Sequence, residues 1–524
     1  MAKASRESRR VVLFILLIGA FALSGVASSQ VGAAPAAPRR GGTFYIGQDF
    51  GPQHFDPHKS TAWANTNITE SIYDGLVQWN ETETELLPSL ATGWTISRDG
   101  LEYTFNIRQG VRFHNNRPMT AQDVKFSLDR IRDPKSGSVL AGNFDLITSV
   151  DVVNPRTVKV TLSKPQATFL NFLTEVYPIV PQEAVAELAT KPVGTGPFML
   201  DQYVLNQFVR LVRNPNYWDR GKPYLDMVEF KILGDEASKE SALRSKSVDM
   251  AWFRDPRQAD ALAKAVPGMV STPGIPSRWI GIRLNQCQKP FDDARVRRAL
   301  SLATDRKSLI ETVIPSRYGG AVGTVIAPSD RFYVKGDPMD LPYYRSDVNK
   351  AKQLLAEAGY PDGVSIDAYK VVAANQLDVD GAQVLREQWA KANIKVNIVP
   401  MEVGQIIRDW REGNGRMVQV GGVWSSDPDA NLYNWFRSST DQAKAYCIRD
   451  SVLDKLLEEG RTSVDLAKRT EIYQQVQRRI ADRAHILVLY GYPLRWEMWW
   501  DYVKGYKNRP SNTRFSLRHT SLER

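Results

Sequence analysis

The N-terminal 38 residues determine where this chain can fold. Four basic residues within the first ten precede an unbroken apolar run at 11–23, and small residues with an Ala/Pro-rich spacer follow it. This order is typical of a secretory signal peptide, so we assign 1–38 to signal and spacer and expect the rest to fold outside the cytoplasm. The apolar run is shorter than the about 20 residues that a membrane-spanning helix needs.

Export without a membrane anchor is the next inference. No Cys lies near the possible cleavage sites at Ala27 and Ala33, so the lipid of bacterial lipoproteins has no attachment point there. We therefore expect a periplasmic protein, provided that the source is a Gram-negative bacterium. Arg9-Arg10 before the apolar run is compatible with the twin-arginine route, and ordinary secretion is the simpler alternative.

The composition is that of an ordinary globular protein. Hydrophobic residues make up 43% and charged residues 24% of the chain, and the net charge is +10. Lys and Arg are interleaved with Asp and Glu instead of forming a basic block, so nucleic-acid binding is not indicated. About 490 residues remain after the signal, which predicts two or three domains.

Two residue types stand out. The chain has 13 Trp and 20 Tyr, more than a core of this size requires, which indicates a ligand surface, although any single ring can equally pack in the core. The two cysteines, Cys287 and Cys447, form an even count in an oxidising compartment, which favours a disulfide. Two buried thiols are the competing interpretation.

A parallel sheet is predicted in the second half of the chain. A strand at 364–372, a helix at 377–393 and a strand at 394–400 form a βαβ unit. Such units place parallel strands in one sheet with helices on its faces. The fold class is therefore α/β.

Two local patterns are predicted in the first half. A helix should begin after Thr120, whose side chain can cap it while Asp123 reaches back as the acidic member of a capping box. Alternation at 101–113 predicts a strand pair that turns at Gln109-Gly110.

Catalytic motifs are not found in the sequence. It contains no G-x-S-x-G elbow, H-E-x-x-H helix, Walker loop or C-x-x-C pair, and it has only five His. The sequence therefore gives little support for an enzymatic function. A secreted hydrolase that acts in a cleft is the alternative function. We expect no cofactor and no metal site.

Taken in order, the motifs of this chain resemble one family: the extracytoplasmic substrate-binding proteins of peptide/nickel-type ABC transporters, known as solute-binding protein family 5. Their shared order from about residue 41 to 490 makes the resemblance specific, although no single motif decides it. The matching segments include Gly41-Gly42-Thr43-Phe44, Tyr73-Asp74-Gly75-Leu76-Val77, Thr120-Ala121-Gln122-Asp123-Val124, Gly194-Thr195-Gly196-Pro197-Phe198, Val296-Arg297-Arg298-Ala299-Leu300 and 424–429.

The resemblance implies a two-lobed periplasmic-binding-protein fold of type II with an extra α+β domain inserted in the first lobe. The ligand is enclosed when the lobes close about a hinge. The motif order assigns the first lobe to 39–80, 191–284 and 492–524, the inserted domain to 81–190 and the second lobe to 285–491.

The same resemblance implies a ligand site around Trp424. In the peptide binders of this family, an Asp three residues after that Trp pairs with the ligand's amino group, and Asp427 has this spacing. Asp427 also precedes Pro428 directly, so it is equally well interpreted as a turn aspartate, with Asp429 as the other candidate. Trp63 and Trp279 are further candidates for aromatic contacts with the ligand.

The expected function is that of a solute receptor without catalysis. It would capture a small solute, an oligopeptide or peptide-like compound, and present it as a monomer to the membrane permease subunits of an ABC transporter. A sugar, an opine or a metal chelate is the alternative ligand.

Overall fold

Two large sheets and one smaller sheet organise the chain. The computed structural model describes residues 38–60, 62–174, 177–272, 274–373, 375–423, 427–493, 495–509 and 517–524. The strands are β1 Thr43–Gln48, β2 Val77–Trp79, β3 Leu86–Pro88, β4 Ala91–Ile96, β5 Glu102–Ile107, β6 Ile147–Asn154, β7 Thr157–Leu162, β8 Phe198–Val204, β9 Phe208–Arg213, β10 Met227–Ile232, β11 Met250–Phe253, β12 Met269–Thr272, β13 Arg278–Leu284, β14 Ala321–Val322, β15 Val364–Val372, β16 Ile394–Met401, β17 Met417–Val423, β18 Ile486–Tyr492, β19 Trp496–Trp500, β20 Val503–Lys504 and β21 Ser521–Leu522.

Helices cover the faces of these sheets. They are α1 Trp63–Ile72, α2 Ala121–Arg132, α3 Glu236–Arg244, α4 Pro256–Ala265, α5 Ala294–Leu302, α6 Arg306–Val313, α7 Val348–Glu357, α8 Gln376–Ala390, α9 Val403–Glu412, α10 Asp429–Phe436, α11 Asp441–Ala445, α12 Ser451–Thr462 and α13 Leu466–Arg483. None of the helices in the described ranges has the length and hydropathy of a membrane span.

The first large sheet has seven strands in the order β12-β19-β11-β1-β10-β9-β8. Its central strand β1 runs parallel to β10 and β11. By contrast, β19 runs antiparallel to both β11 and β12. The carboxyl ends of β1, β10 and β11 therefore meet at one edge of the sheet, and β19 begins at that edge.

The second large sheet has six strands in the order β14-β18-β13-β17-β15-β16. The predicted βαβ unit is confirmed, because β15 and β16 pair in parallel and α8 connects them. β15 is also parallel to β17, whereas β13 is antiparallel to β17 and β18. β13 thus belongs to this sheet, although the sequence-based boundary ends the first lobe at 284.

A four-stranded antiparallel sheet, β4-β5-β7-β6, comes in sequence between β1 and β8, two strands of the seven-stranded sheet. The predicted capping box is confirmed at the start of α2, where Asp123 accepts from the Thr120 backbone N–H at 2.8 Å. Leu128 of α2 is fully buried against this sheet. The predicted strand pair at 101–113 is wrong: β5 pairs with β4 and β7, because the chain after the turn at 109–110 forms only an isolated bridge between Arg112 and Pro118 in the described residues and no second strand beside β5.

A buried ion pair fixes α2 to the segment that follows β1. Arg130 donates to both carboxylate oxygens of Asp56, at 3.0 and 2.6 Å, and contacts Nδ1 of His58 at 2.8 Å. Burial lowers the pKa of His58 to about 4, so the ring is neutral at pH 7 and adds no second positive charge beside Arg130. The inserted sheet is therefore held to the seven-stranded sheet by a satisfied polar contact.

Cys287 and Cys447 are joined by a disulfide, with their Cα atoms 5.2 Å apart. Cys287 follows β13, and Cys447 follows α11. The bridge closes a loop with a sequence separation of 160 residues. It therefore ties the end of β13 to the helices that come after β17.

We expect no free thiol in the denatured, unreduced protein, as measured by reaction with a thiol reagent. Reduction should lower the free energy of unfolding by about 2–5 kcal/mol, because it frees a long loop in the unfolded chain. Two titratable thiols before reduction would contradict the bridge.

Candidate functional site

The chain passes between the two large sheets at two crossings. The first crossing runs from Thr272, at the end of β12, to Arg278, at the start of β13. The second crossing runs from Tyr492, at the end of β18, to Trp496, at the start of β19. Both crossings join the carboxyl edge of one sheet to the carboxyl edge of the other. In α/β proteins such edges are where ligands bind.

At the edge of the seven-stranded sheet, polar groups are paired with one another. Asp49 follows β1 and accepts from Lys239 of α3 at 2.8 Å and from Arg254, after β11, at 2.5 Å. Lys239 is fully buried and also donates to the Trp252 carbonyl at 2.8 Å. The Arg254 side chain is 61% exposed, so this network ends in a guanidinium that reaches solvent.

At the edge of the six-stranded sheet, Arg278 begins β13 and Asp378 lies in the first turn of α8. Arg278 donates to the hydroxyl of Tyr492, and its guanidinium lies 5.4 Å from the centre of that ring. Asp378 is buried, which raises the pKa of its carboxyl. The two crossings thus bring residues from three distant parts of the sequence to one edge.

Asp427 is bound by a buried arginine. Arg469 of α13 donates to its two carboxylate oxygens at 2.6 and 2.7 Å, and both side chains are 3% exposed. Asp427 also accepts from the backbone N–H of Asp429 at 3.0 Å. Its carboxylate therefore organises the turn that leads into α10.

Asp429 has a different environment, two residues further on. Its carboxylate accepts from Arg461 at 3.1 Å, and the Arg461 side chain is 33% exposed. Burial raises the pKa of Asp429 to about 6, against the opposing charge of Arg461. Each carboxylate is thus paired with its own arginine: Asp427 with Arg469 of α13, and Asp429 with Arg461 of α12.

Of the three tryptophan candidates, Trp279 is the one whose side chain lies in the described part of the chain. Trp279 is 3% exposed and packs edge-on against Trp435 with ring centres 5.6 Å apart, so it belongs to the core beneath β13. Trp424 lies outside the described residues. Trp63 begins α1, and its side chain also lies outside the described part.

Sequence reasoning missed Arg278, Asp378 and Arg469. The sequence signal for Arg469 was its place on an apolar helix face. The same pattern is equally typical of an arginine that reaches solvent. Arg278 and Asp378 carry no local signal, since they meet only when β13 and α8 pack together. In the described part of the chain, no group of three His, Cys, Asp or Glu side chains has the arrangement of a metal site.

The family model named bacterial extracellular solute-binding proteins, family 5 middle, matches residues 85–444. The chain belongs to this family. Members are binding proteins, and the two-lobed fold of type II with an inserted α+β domain, expected from the sequence, is confirmed. The strands of the seven-stranded sheet all come from the segments 39–80, 191–284 and 492–524 that were expected to form the first lobe.

Relatives in this family are named for different ligands. Heme-binding protein A of Haemophilus influenzae is 30% identical, with 88% of this chain and 89% of the relative covered. The dipeptide-binding protein of Escherichia coli is 28% identical, with 88% and 91% covered. The structure of the periplasmic binding protein DppA of Helicobacter pylori in complex with the peptide STSA is 27% identical, with a TM-score of 0.73 over 93% of this chain and 99% of that one.

We expect Asp427→Asn to lower the free energy of unfolding by about 3–5 kcal/mol, because it leaves the buried Arg469 without its counter-charge. Asp429→Asn is the matched control, and it should cost less because Arg461 reaches solvent. Urea unfolding at pH 7 measures both values. Equal losses for the two variants would contradict a special role of the Asp427–Arg469 pair.

Proposed function

We propose that this protein is a periplasmic receptor that captures a peptide-like solute between its two lobes and delivers it to the permease subunits of an ABC importer. The dipeptide-binding relative and the peptide complex of DppA support the ligand class. The signal-like segment at 1–38 supports the location. The receptor acts as a monomer and binds its ligand without altering it.

The observation that carries this proposal is the position of both crossings at the carboxyl edges of the two sheets. A solute between these edges touches residues of both lobes at once, so binding energy is available to hold the lobes together. Two hydrogen bonds between the second lobe and the inserted domain complete the enclosure. Arg331 of the second lobe donates to the Thr84 carbonyl at 3.2 Å, and the Ala167 N–H donates to the Arg461 carbonyl at 3.2 Å.

Within this site we propose different roles for the candidates around α10. Asp427 positions the turn before α10, since its carboxylate is bound by Arg469. Trp424, three residues earlier, supplies an aromatic wall to the ligand, and Trp63 supplies another from the first lobe. Asp429 supports the same turn from the side of Arg461.

The ligand class is tested by isothermal titration calorimetry of the signal-free protein with defined solutes. The panel contains di- and tripeptides, a disaccharide, an opine, heme and a nickel–histidine chelate. We expect saturable binding of at least one peptide and a higher Tm in its presence, by mass action. Binding of only a sugar, an opine, heme or the chelate would overturn the peptide assignment, and cleavage of the bound peptide would favour the hydrolase.

We expect Trp424→Ala to weaken binding of that peptide by roughly 1–3 kcal/mol, the range for losing a large apolar contact. Trp94→Ala, in β4 of the inserted domain, is the matched control and should leave the affinity unchanged. Calorimetry gives the affinities, and thermal unfolding separates them from stability losses. Unchanged peptide affinity in the folded Trp424→Ala protein would remove Trp424 from the site.

A further inference from the structure

A cavity of about 260 Å³ opens at the carboxyl edge of the six-stranded sheet, where the second lobe borders the cleft. Its walls are apolar and come from β13, α9 and β17; they include Ile280, Ile406, Trp410 and Val420. Gly421 also lines it, and a Cβ there would lie 3.0 Å from the Ile280 side chain. A side chain at this position would therefore press against Ile280 in the cavity wall.

Two opposite charges line the same cavity. Asp378 is 2% exposed, and its Oδ1 atom is buried without a hydrogen-bond partner. Asn375 and Gln419 are polar neighbours of the Asp378 carboxylate and oppose the rise in its pKa that burial causes. Asp378 lines the cavity, so a ligand that donates a hydrogen bond to its carboxylate would offset part of the cost of burying it.

Arg278 is the positive partner. It is half-buried, donates to Tyr492 and interacts electrostatically with Asp378. Among the described residues, Arg278 forms no direct ion pair with Asp378 or any other carboxylate. The two charges thus attract each other across a gap that a ligand with both charges can bridge.

We propose that this cavity binds a single apolar α-amino acid whose α-ammonium donates to Asp378 and whose α-carboxylate accepts from Arg278, with its side chain against Trp410 and Ile406. This inference rests on the proposed receptor function and adds a free amino acid to the solutes that the receptor takes, with the first lobe closing over the open side of the cavity. The cavity is smaller than the about 300–1,000 Å³ typical of sites for drug-sized ligands, so its interior has room for one residue.

The apolar walls specify the side chain. Ile280, Ile406 and Val420 offer no hydrogen bond from their side chains, so a polar group placed against them would lose its water without replacement; Gln419 and the Trp410 indole N–H are polar groups of the same lining. An aliphatic or aromatic side chain loses nothing and buries its surface. Leucine and phenylalanine have this chemistry.

The first test uses the wild-type protein and three probes: L-leucine, N-acetyl-L-leucine and L-leucinamide. N-acetylation removes the positive charge, and amidation removes the negative charge. We expect L-leucine to bind in calorimetry and each blocked compound to bind roughly 10- to 100-fold more weakly, the effect of losing one charged hydrogen bond. This comparison does not depend on any variant.

The second test uses Asp378→Asn and Arg278→Gln. We expect each folded variant to bind L-leucine roughly 10- to 100-fold more weakly. Asp380→Asn on the same helix and Arg386→Gln on its exposed face are the matched controls and should leave the affinity unchanged. Near-ultraviolet circular dichroism verifies that each variant is folded.

The outcomes separate this inference from the proposed function. If the wild-type protein binds peptides of the panel but not L-leucine, the amino-acid site is overturned while the receptor function stands. If L-leucine binds but no peptide does, the peptide assignment fails and the site stands. Equal affinity for L-leucine and its blocked analogues would also overturn the site.

Discussion

The two crossings between the sheets are the constraint on which the rest of this structure depends. Both begin and end at carboxyl edges because β13 and β19 run antiparallel to the central strands of their sheets. Loops and helix N-termini from both lobes are therefore gathered on the two sides of one cleft. The disulfide at Cys287 and Cys447 lies at the other end of β13, where it can tie down the second lobe without spanning the cleft.

Polar groups near the cleft fall into two kinds, which differ in how completely they are satisfied. Lys239 and Arg469 are buried, and each has acceptors within 2.6–2.8 Å. Such completed networks hold loops in one conformation. Asp378 and Arg278 are incompletely paired within the protein, so a solute can improve their interactions. This contrast is why the binding chemistry is placed at Asp378 and Arg278 rather than at Asp427.

The features that depend on residues close together in the sequence were predictable. The βαβ unit around α8 and the capping box at Thr120 follow from short-range periodicity and side-chain reach, and the family follows from the order of its motifs. Pairing across long separations was not predictable in this way. The alternation at 101–113 does not specify which strands will pair with β5, and nothing near Asp427 indicates that Arg469, 42 residues later, will bind it.

The central claim is that the solute contacts both carboxyl edges and so draws the lobes together. Small-angle X-ray scattering of the signal-free protein, with and without a ligand whose saturation is verified by calorimetry, tests it most directly. We expect a smaller radius of gyration in the ligand-saturated protein. Superimposable scattering curves at saturation would contradict it, since a ligand held by one lobe alone leaves the distance between the sheets unchanged.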